Sequence, residues 1–209
     1  MRLILVGAPG SGKGTQAGVL IQSLGVAKIA TGDMLRAAKA AGTELGKRAA
    51  SYMSSGQLVP DSVVIGLVEE RLKESDCAEG FVLDGFPRTV AQANALSGLL
   101  DKLGKPLDHV IQIDVPRGLL MERTTGRRTD VQTGQIYHLK YNPPPAGAQL
   151  EHRADDTEET VAKRLDAYDA QTAALLPHYD AQGLLRRVNG EGTPAQVTAR
   201  IQSALAART

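Results

Sequence analysis

Tryptophan is absent from this 209-residue chain, phenylalanine occurs twice, and cysteine once, at Cys77. A single cysteine excludes an internal disulfide framework and a cysteine-rich zinc module. So few aromatic rings argue against base stacking on single-stranded nucleic acid. No apolar run approaches the roughly 18 residues that could span a bilayer. The opening MRLILV meets Gly7, Pro9 and Lys13 too soon for a signal peptide. Charge of one sign is also lacking: 24 Lys and Arg face 23 Asp and Glu, a formal net charge of +1 with no polyanion-binding signature. These absences lead us to expect a cytoplasmic location, no membrane partner and no nucleic-acid partner. With 42% hydrophobic and 22% charged residues, the chain has the material for one domain with a sizeable core. Arginine stands out, at 15 against nine lysines. Its planar fork matches two oxygens of a carboxylate or phosphate.

Short apolar runs alternate with helical periods. Leu3 to Val6, Lys28 to Ala30, Phe81 to Leu83, Val110 to Val115 and Leu184 to Val188 read as strands buried on both faces of a parallel sheet. Between them, Ala17, Leu20, Ile21 and Leu24 share a helix face. So do Val161, Leu165, Tyr168, Thr172 and Leu175, and again Val197, Ile201 and Leu205. The expected class is α/β, a five-stranded parallel sheet flanked by helices. Two stretches break the rhythm. Residues 31–59 read as two helices with no strand between them. Residues 126–156, rich in Gly and Pro, read as a lid-like insert in which TGQIYHLKYNP makes a small antiparallel hairpin.

Gly7-Ala8-Pro9-Gly10-Ser11-Gly12-Lys13 follows a strand and opens a helix, the context of a P-loop. Glycines let successive N–H groups point inward, the helix N-terminus adds positive potential, and Lys13 carries a charge to the outer phosphates. Gly14 follows the lysine and the hydroxyl arrives at Thr15, so contact with Mg²⁺ is expected through water. Asp84 closes the strand Phe81 to Leu83 and is expected in the same Mg²⁺ shell, again through water, with no direct protein ligand. Cys77 reads as a structural thiol, His109 as a strand-start residue and His178 as a helix residue.

GAPGSGKGT, TGDMLR, QLVPD, DGFPRT with Gln92, GRR and DD-x-EET-x-x-x-R, in that order, resemble the adenylate kinase family in its bacterial long-lid form. The resemblance runs over nearly the whole chain. It implies a P-loop kinase core at 1–29, 60–125 and 157–209, an AMP-binding insert at 30–59 and an ATP lid at 126–156. The implied reaction is MgATP + AMP ⇌ 2 ADP, carried by a monomer with Mg²⁺ as cofactor. Catalysis falls to Lys13, Arg88, Arg123, Arg127, Arg153, Arg164 and Asp155. ATP is expected against Gly10, Ser11, Gly12, Lys13, Gly14, Thr15, Arg123, Arg127, Ile136, Tyr137 and Gly192. AMP is expected against Thr31, Arg36, Gln57, Leu58, Val59, Gly85, Phe86, Pro87, Arg88, Gln92, Arg153 and Arg164. The sequence spacing puts Arg123 and Arg127 on one helix face. Asp155 and Asp156 either orient arginines or cap the helix that TEET begins.

The chain departs from the family at two places. Some long-lid members bind structural zinc through four cysteines, whereas residues 127–156 hold none and only His138 and His152 as nitrogen donors. No zinc is therefore expected, and Asp130 and Thr133 suggest a hydrogen-bonded lid instead. The turn VNGEGTP lacks the lysine usual in the family. Two alternatives remain open at this point: another nucleoside monophosphate kinase, such as a UMP/CMP kinase, and a non-catalytic nucleotide-binding regulator.

Overall fold

The computed structural model describes residues 1–207. Residues 208 and 209, the end of the expected core span, lie outside the described residues. In chain order the elements are β1 (Arg2–Val6), α1 (Lys13–Leu24), β2 (Ala27–Ala30), α2 (Thr31–Ala40), α3 (Glu44–Ser54), α4 (Asp61–Leu72), β3 (Phe81–Asp84), α5 (Val90–Leu103), β4 (His109–Asp114) and α6 (Arg117–Thr125). There follow β5 (Arg127–Asp130), β6 (Ile136–His138), β7 (Leu150–Glu151), α7 (Glu158–Ala167), a π-helical turn at Tyr168–Thr172, α8 (Leu175–Asp180), β8 (Leu185–Asn189) and α9 (Pro194–Ala206).

Five strands form one parallel sheet in the order β2-β3-β1-β4-β8. Every apolar run expected to be a strand is one, shifted by a residue at some ends. Side-chain alternation explains the apolar character of both faces. Ile4 and Val6 of β1 pack with Ile29, Leu83 and Val110 into one core, while Leu3 and Leu5 pack with Val82, Ile111 and Ile113 into the other. Helices α4, α5 and α8 cover the first face; α1, α6, α7 and α9 cover the second. The C-terminal edge of β1 and β3 then faces the P-loop and Asp84, the usual place for a ligand in such a sheet.

Residues 31–59 are the two helices expected, α2 and α3. Thr43 caps the second, accepting from Gly46 N and donating to the Ala38 carbonyl. The stretch from Val161 to Leu175 differs from expectation. Val161 and Leu165 belong to one core and Leu175 to the other, so these residues do not share one face. The π turn, closed by Ala173 N donating to the Tyr168 carbonyl at 2.9 Å, inserts extra residues and swings the chain across.

The second sheet has three antiparallel strands in the order β6-β5-β7. The hairpin lies earlier than expected: its first strand, Arg127–Asp130, precedes TGQIYHLKYNP, its second is Ile136–His138, and within the fragment itself only a His138–Asn142 bridge forms. Asp130 Oδ1 accepts from Gln132 N and Thr133 N, both at 2.9 Å, and Thr133 Oγ1 accepts from Gln135 N. Those N–H groups, Thr133 first, hold the Asp130 carboxyl below its ordinary range. Val131, Leu139 and Tyr141, in the segments that follow β5 and β6, are exposed. The sequence alone showed no such apolar exposure. Among the described residues no helix is long and apolar enough to cross a membrane.

Candidate active site

The loop between β1 and α1 lies at the head of a helix with no acidic residue in its first turn. Gly10 sits at φ +86°, and a Cβ there would stand 2.5 Å from both the Leu120 carbonyl oxygen and Thr124 Oγ1. Glycine alone lets the loop lie this close to α6. Ser11 is buried beneath the loop, Gly12 is half-buried, and Gly14 and Thr15 are exposed in the first helical turn. Lys13 folds across the loop, its Nζ donating to the Gly7 and Ala8 carbonyls at 2.6 and 2.9 Å. Burial pulls its pKa down to about 8. Asp84 opposes that shift, while Arg88, Arg164 and Arg127 add to it.

Asp84 ends β3 with Oδ2 3.5 Å from the point that a Cβ on Gly14 would occupy. Its carboxylate thus faces the head of α1 and, among the described residues, has no ion-pair partner. An oxygen donor beside a phosphate cradle suits a hard cation that keeps most of its waters. The described residues hold no cluster of three or more His, Cys, Asp or Glu that would enclose a metal.

Gly85 to Arg88 form the turn after β3. The Gly85 carbonyl accepts from Thr31 Oγ1 at 3.0 Å and from Arg88 Nε at 2.8 Å, which aims the Arg88 guanidinium. Burial lowers the Arg88 pKa to about 10, with Arg164 and Arg36 adding to the shift and Asp84 and Asp155 opposing it. Arg153 is likewise lowered to about 10 by burial and by Arg127 and Arg36. Burial and Arg127 also lower Arg164, against Asp155. Five arginines and a lysine therefore share one focus. Only part of that charge is neutralised. Asp156, fully buried, takes both Arg127 Nε and Nη2 at 2.8 and 2.6 Å and Arg164 at 3.3 Å, while Asp155 takes Arg164 at 2.9 Å. Burial of Arg127 works against its charge, but the Asp156 hydrogen bonds prevail and its pKa is raised. Asp33 pairs with Arg36 at 2.5 Å and with Lys28 at 2.8 Å. Lys13, Arg88 and Arg153 have no acidic partner at ion-pair distance among the described residues.

A cavity opens beside this focus. Its lining includes Thr31, Arg36, Met53, Gln57, Leu58, Val59, Gly85, Arg88, Gln92, Asp155 and Arg164. Most residues expected to hold AMP are thus together. Phe86 is instead buried in the core, and Pro87, joined to it by a cis peptide bond, is buried in the turn. Neither lines the cavity, nor does Arg153. The residues expected around the ATP base are more dispersed. Ile136 and Tyr137 lie on β6, and Gly192 lies in the turn between β8 and α9.

Two expectations need correction. Arg123 and Arg127 do not share a helix face, because α6 ends at Thr125 and Arg127 begins β5. Arg123 donates to the Gly190 carbonyl at 3.0 Å. The cap of α7 is Thr157, which accepts from Thr160 N, so Asp155 and Asp156 orient arginines and do not cap. Two residues went unnoticed in the sequence. Arg200 braces the 189–192 turn by donating to the Asn189 and Glu191 carbonyls. Asp61 sits behind Gln92. The QLVPD motif signalled the second; nothing signalled the first. Gly192 holds φ +96°, a conformation that favours glycine, just before the capping box of Thr193 and Gln196.

A sequence model of the adenylate kinase family matches residues 5–184. The chain belongs to the adenylate kinase family. It is 60% identical over 208 residues to an adenylate kinase of Sorangium cellulosum, covering 98% of this chain and 96% of the relative. It is 52% identical to that of Shouchella clausii, covering 98% of each chain. With the adenylate kinase of Moorella thermoacetica the identity is 53%, covering 95% of each. As a member of the adenylate kinase family it is a phosphotransferase of the nucleoside monophosphate kinase class, built on the P-loop fold described above.

Proposed function

We propose that the protein transfers the γ-phosphoryl group of MgATP to AMP, giving two ADP, as a cytoplasmic monomer. The observation that carries this reading is the set of three cations without acidic partners, Lys13, Arg88 and Arg153, converging beside a cavity that holds Gln92. Like charges held together in a buried site are costly unless anions join them. Two phosphate chains meeting tip to tip would supply those anions, and the cations would offset the repulsion between the chains.

In this reading residues 1–29, 60–125 and 157–209 are the core, 30–59 the acceptor insert and 126–156 the lid. The loop from Gly10 to Thr15 holds the ATP phosphates. Arg36 and Arg88 take the AMP phosphate, while Arg127, Arg153 and Arg164 flank the transferred group, with Asp155 and Asp156 setting the direction of two of them. Arg123 and the 189–192 turn border the donor base with Ile136 and Tyr137. Asp84 and Thr15 would hold Mg²⁺ through its waters, and that ion would neutralise phosphate charge. No general base is required, since the AMP phosphate is already an anion; positioning and charge stabilisation supply the catalysis. Closure of the lid excludes water and favours transfer over hydrolysis.

Steady-state assays with MgATP and AMP, CMP, UMP or GMP test the reading. AMP is expected to lead; CMP far ahead of AMP would overturn the choice of acceptor, and ATP binding without ADP formation would overturn the enzyme. Lys13→Ala and Arg88→Ala should each lower turnover by about 10²–10³-fold with the fold intact.

A further inference from the structure

The amide of Gln92 is almost completely buried, and protein groups hold both of its ends. Its Oε1 accepts from the Arg88 backbone N–H at 2.7 Å, and its Nε2 donates to Asp61 Oδ1 at 2.7 Å. The second Asp61 oxygen accepts from Thr89 Oγ1 at 3.1 Å, and the same hydroxyl accepts from Gln92 N at 3.1 Å. A carboxylate can only accept and a backbone N–H can only donate, so the amide has one allowed orientation. Turning it over would set Oε1 against a carboxylate oxygen and Nε2 against an N–H. One N–H and one lone pair of the amide remain for a ligand in the cavity that Gln92 lines. Asp61 does not line that cavity and acts from behind.

We infer that Asp61, acting with the Arg88 backbone N–H, fixes the Gln92 amide and so favours a 6-amino over a 6-oxo purine at the acceptor site. The inference rests on the reading of this cavity as the acceptor-base pocket. Adenine offers an amino donor next to a ring-nitrogen acceptor on either hydrogen-bonding edge, the complement of one amide lone pair and one amide N–H. Guanine and hypoxanthine carry an oxo group in place of the amino group. It would face Oε1, acceptor against acceptor. On the edge where the oxo base carries N1–H, an amide free to turn over would accommodate it, and a locked one rejects it. The expected discrimination is about ten- to a hundredfold.

The test compares kcat/KM for AMP, GMP and IMP, with MgATP as donor, in the natural protein and in Asp61 variants. Asp61→Ala should raise KM for AMP and lower the AMP:GMP ratio of kcat/KM at least tenfold, with KM for MgATP unchanged. Asp61→Asn should restore the ratio, because its oxygen accepts from Nε2 while its nitrogen donates to Thr89 Oγ1. Asp61→Ser keeps a helix-starting residue at the head of α4 but falls short of the amide, so it repeats the test if the alanine variant does not fold. An unchanged ratio in a folded Asp61→Ala or Asp61→Ser protein would overturn the inference. So would an equal loss with both nucleotides and with MgATP, failure of asparagine to rescue, or loss of the fold in both variants. If the natural protein does not prefer AMP to GMP and IMP, the reading of the cavity itself fails, a result distinct from the others.

Discussion

Around the cavity proposed for the acceptor, Thr31, Arg88 and Gln92 are each tied by hydrogen bonds to the Gly85 turn or to Asp61. By contrast, Ile136 and Tyr137 stand on a three-residue strand, with Ile136 42% exposed, and the 189–192 turn, proposed to border the donor base, meets the side chains of Arg123 and Arg200 through its backbone carbonyls. One side is organised before a ligand arrives; the other offers exposed side chains and a loop. A preorganised, desolvated amide discriminates because a wrong base leaves buried polar groups unpaired. An exposed apolar strand discriminates little, because water serves any base that does not fit. The contrast therefore predicts strict acceptor choice and a tolerant donor site.

The largest effect that would break this contrast lies at the junction between the two sides. Asp156 is completely buried and ties Arg127 of the three-stranded sheet to Arg164 of α7. Asp156→Ala should destabilise the protein by about 3 kcal/mol, since it leaves the largely buried Arg127 guanidinium without its carboxylate partner while Arg164 keeps Asp155. Denaturant unfolding measures the loss; a change within error would show that the lid is not anchored here.

A smaller effect sharpens the contrast on the phosphate side. Lys13 is held at about 8, below its ordinary 10.5, chiefly by burial. The unliganded enzyme should lose this charge as pH rises through about 8, so kcat/KM for MgATP falls about tenfold per pH unit beyond it. Stability moves the other way. Between about 8 and 10.5 the unfolded chain binds the proton and the folded one does not, so this group favours folding as pH rises through that window. A pH profile of kcat/KM beside thermal unfolding of the free protein checks both signs. Lys13→Arg should remove the alkaline limb.

The smallest effect belongs to the surface of the proposed lid. Lys140 and Glu122 pair at 2.6 Å with both side chains largely in water. Lys140→Ala should leave the thermal midpoint and KM for AMP unchanged within error, as expected of a screened surface pair. A rise in KM for AMP would mean that the two sides are coupled through the lid.

Much of this is legible in the sequence. Apolar runs such as LILV and FVLD read as buried parallel strands because both faces of each strand pack. The P-loop and the turn at Asp84 were legible because glycine, proline and strand ends act locally. Arg123 and Arg127 were misread for the opposite reason: a four-residue spacing carries no information about a helix that stops between them. Arg200 escaped notice because a surface arginine in α9 looks like any other until the turn it braces is folded against it.

The order of residues alone determined the sheet, the phosphate loop and the supply of arginine, since backbone propensity and alternating hydrophobicity act over a few neighbours. Only the tertiary structure decided which charges stay unpaired and which way one amide faces. Asp61 and Gln92 lie 31 positions apart, as do no two groups linked by local rules. Direction and neutralisation depend on groups brought together by folding, where low dielectric makes each partner, or its absence, count.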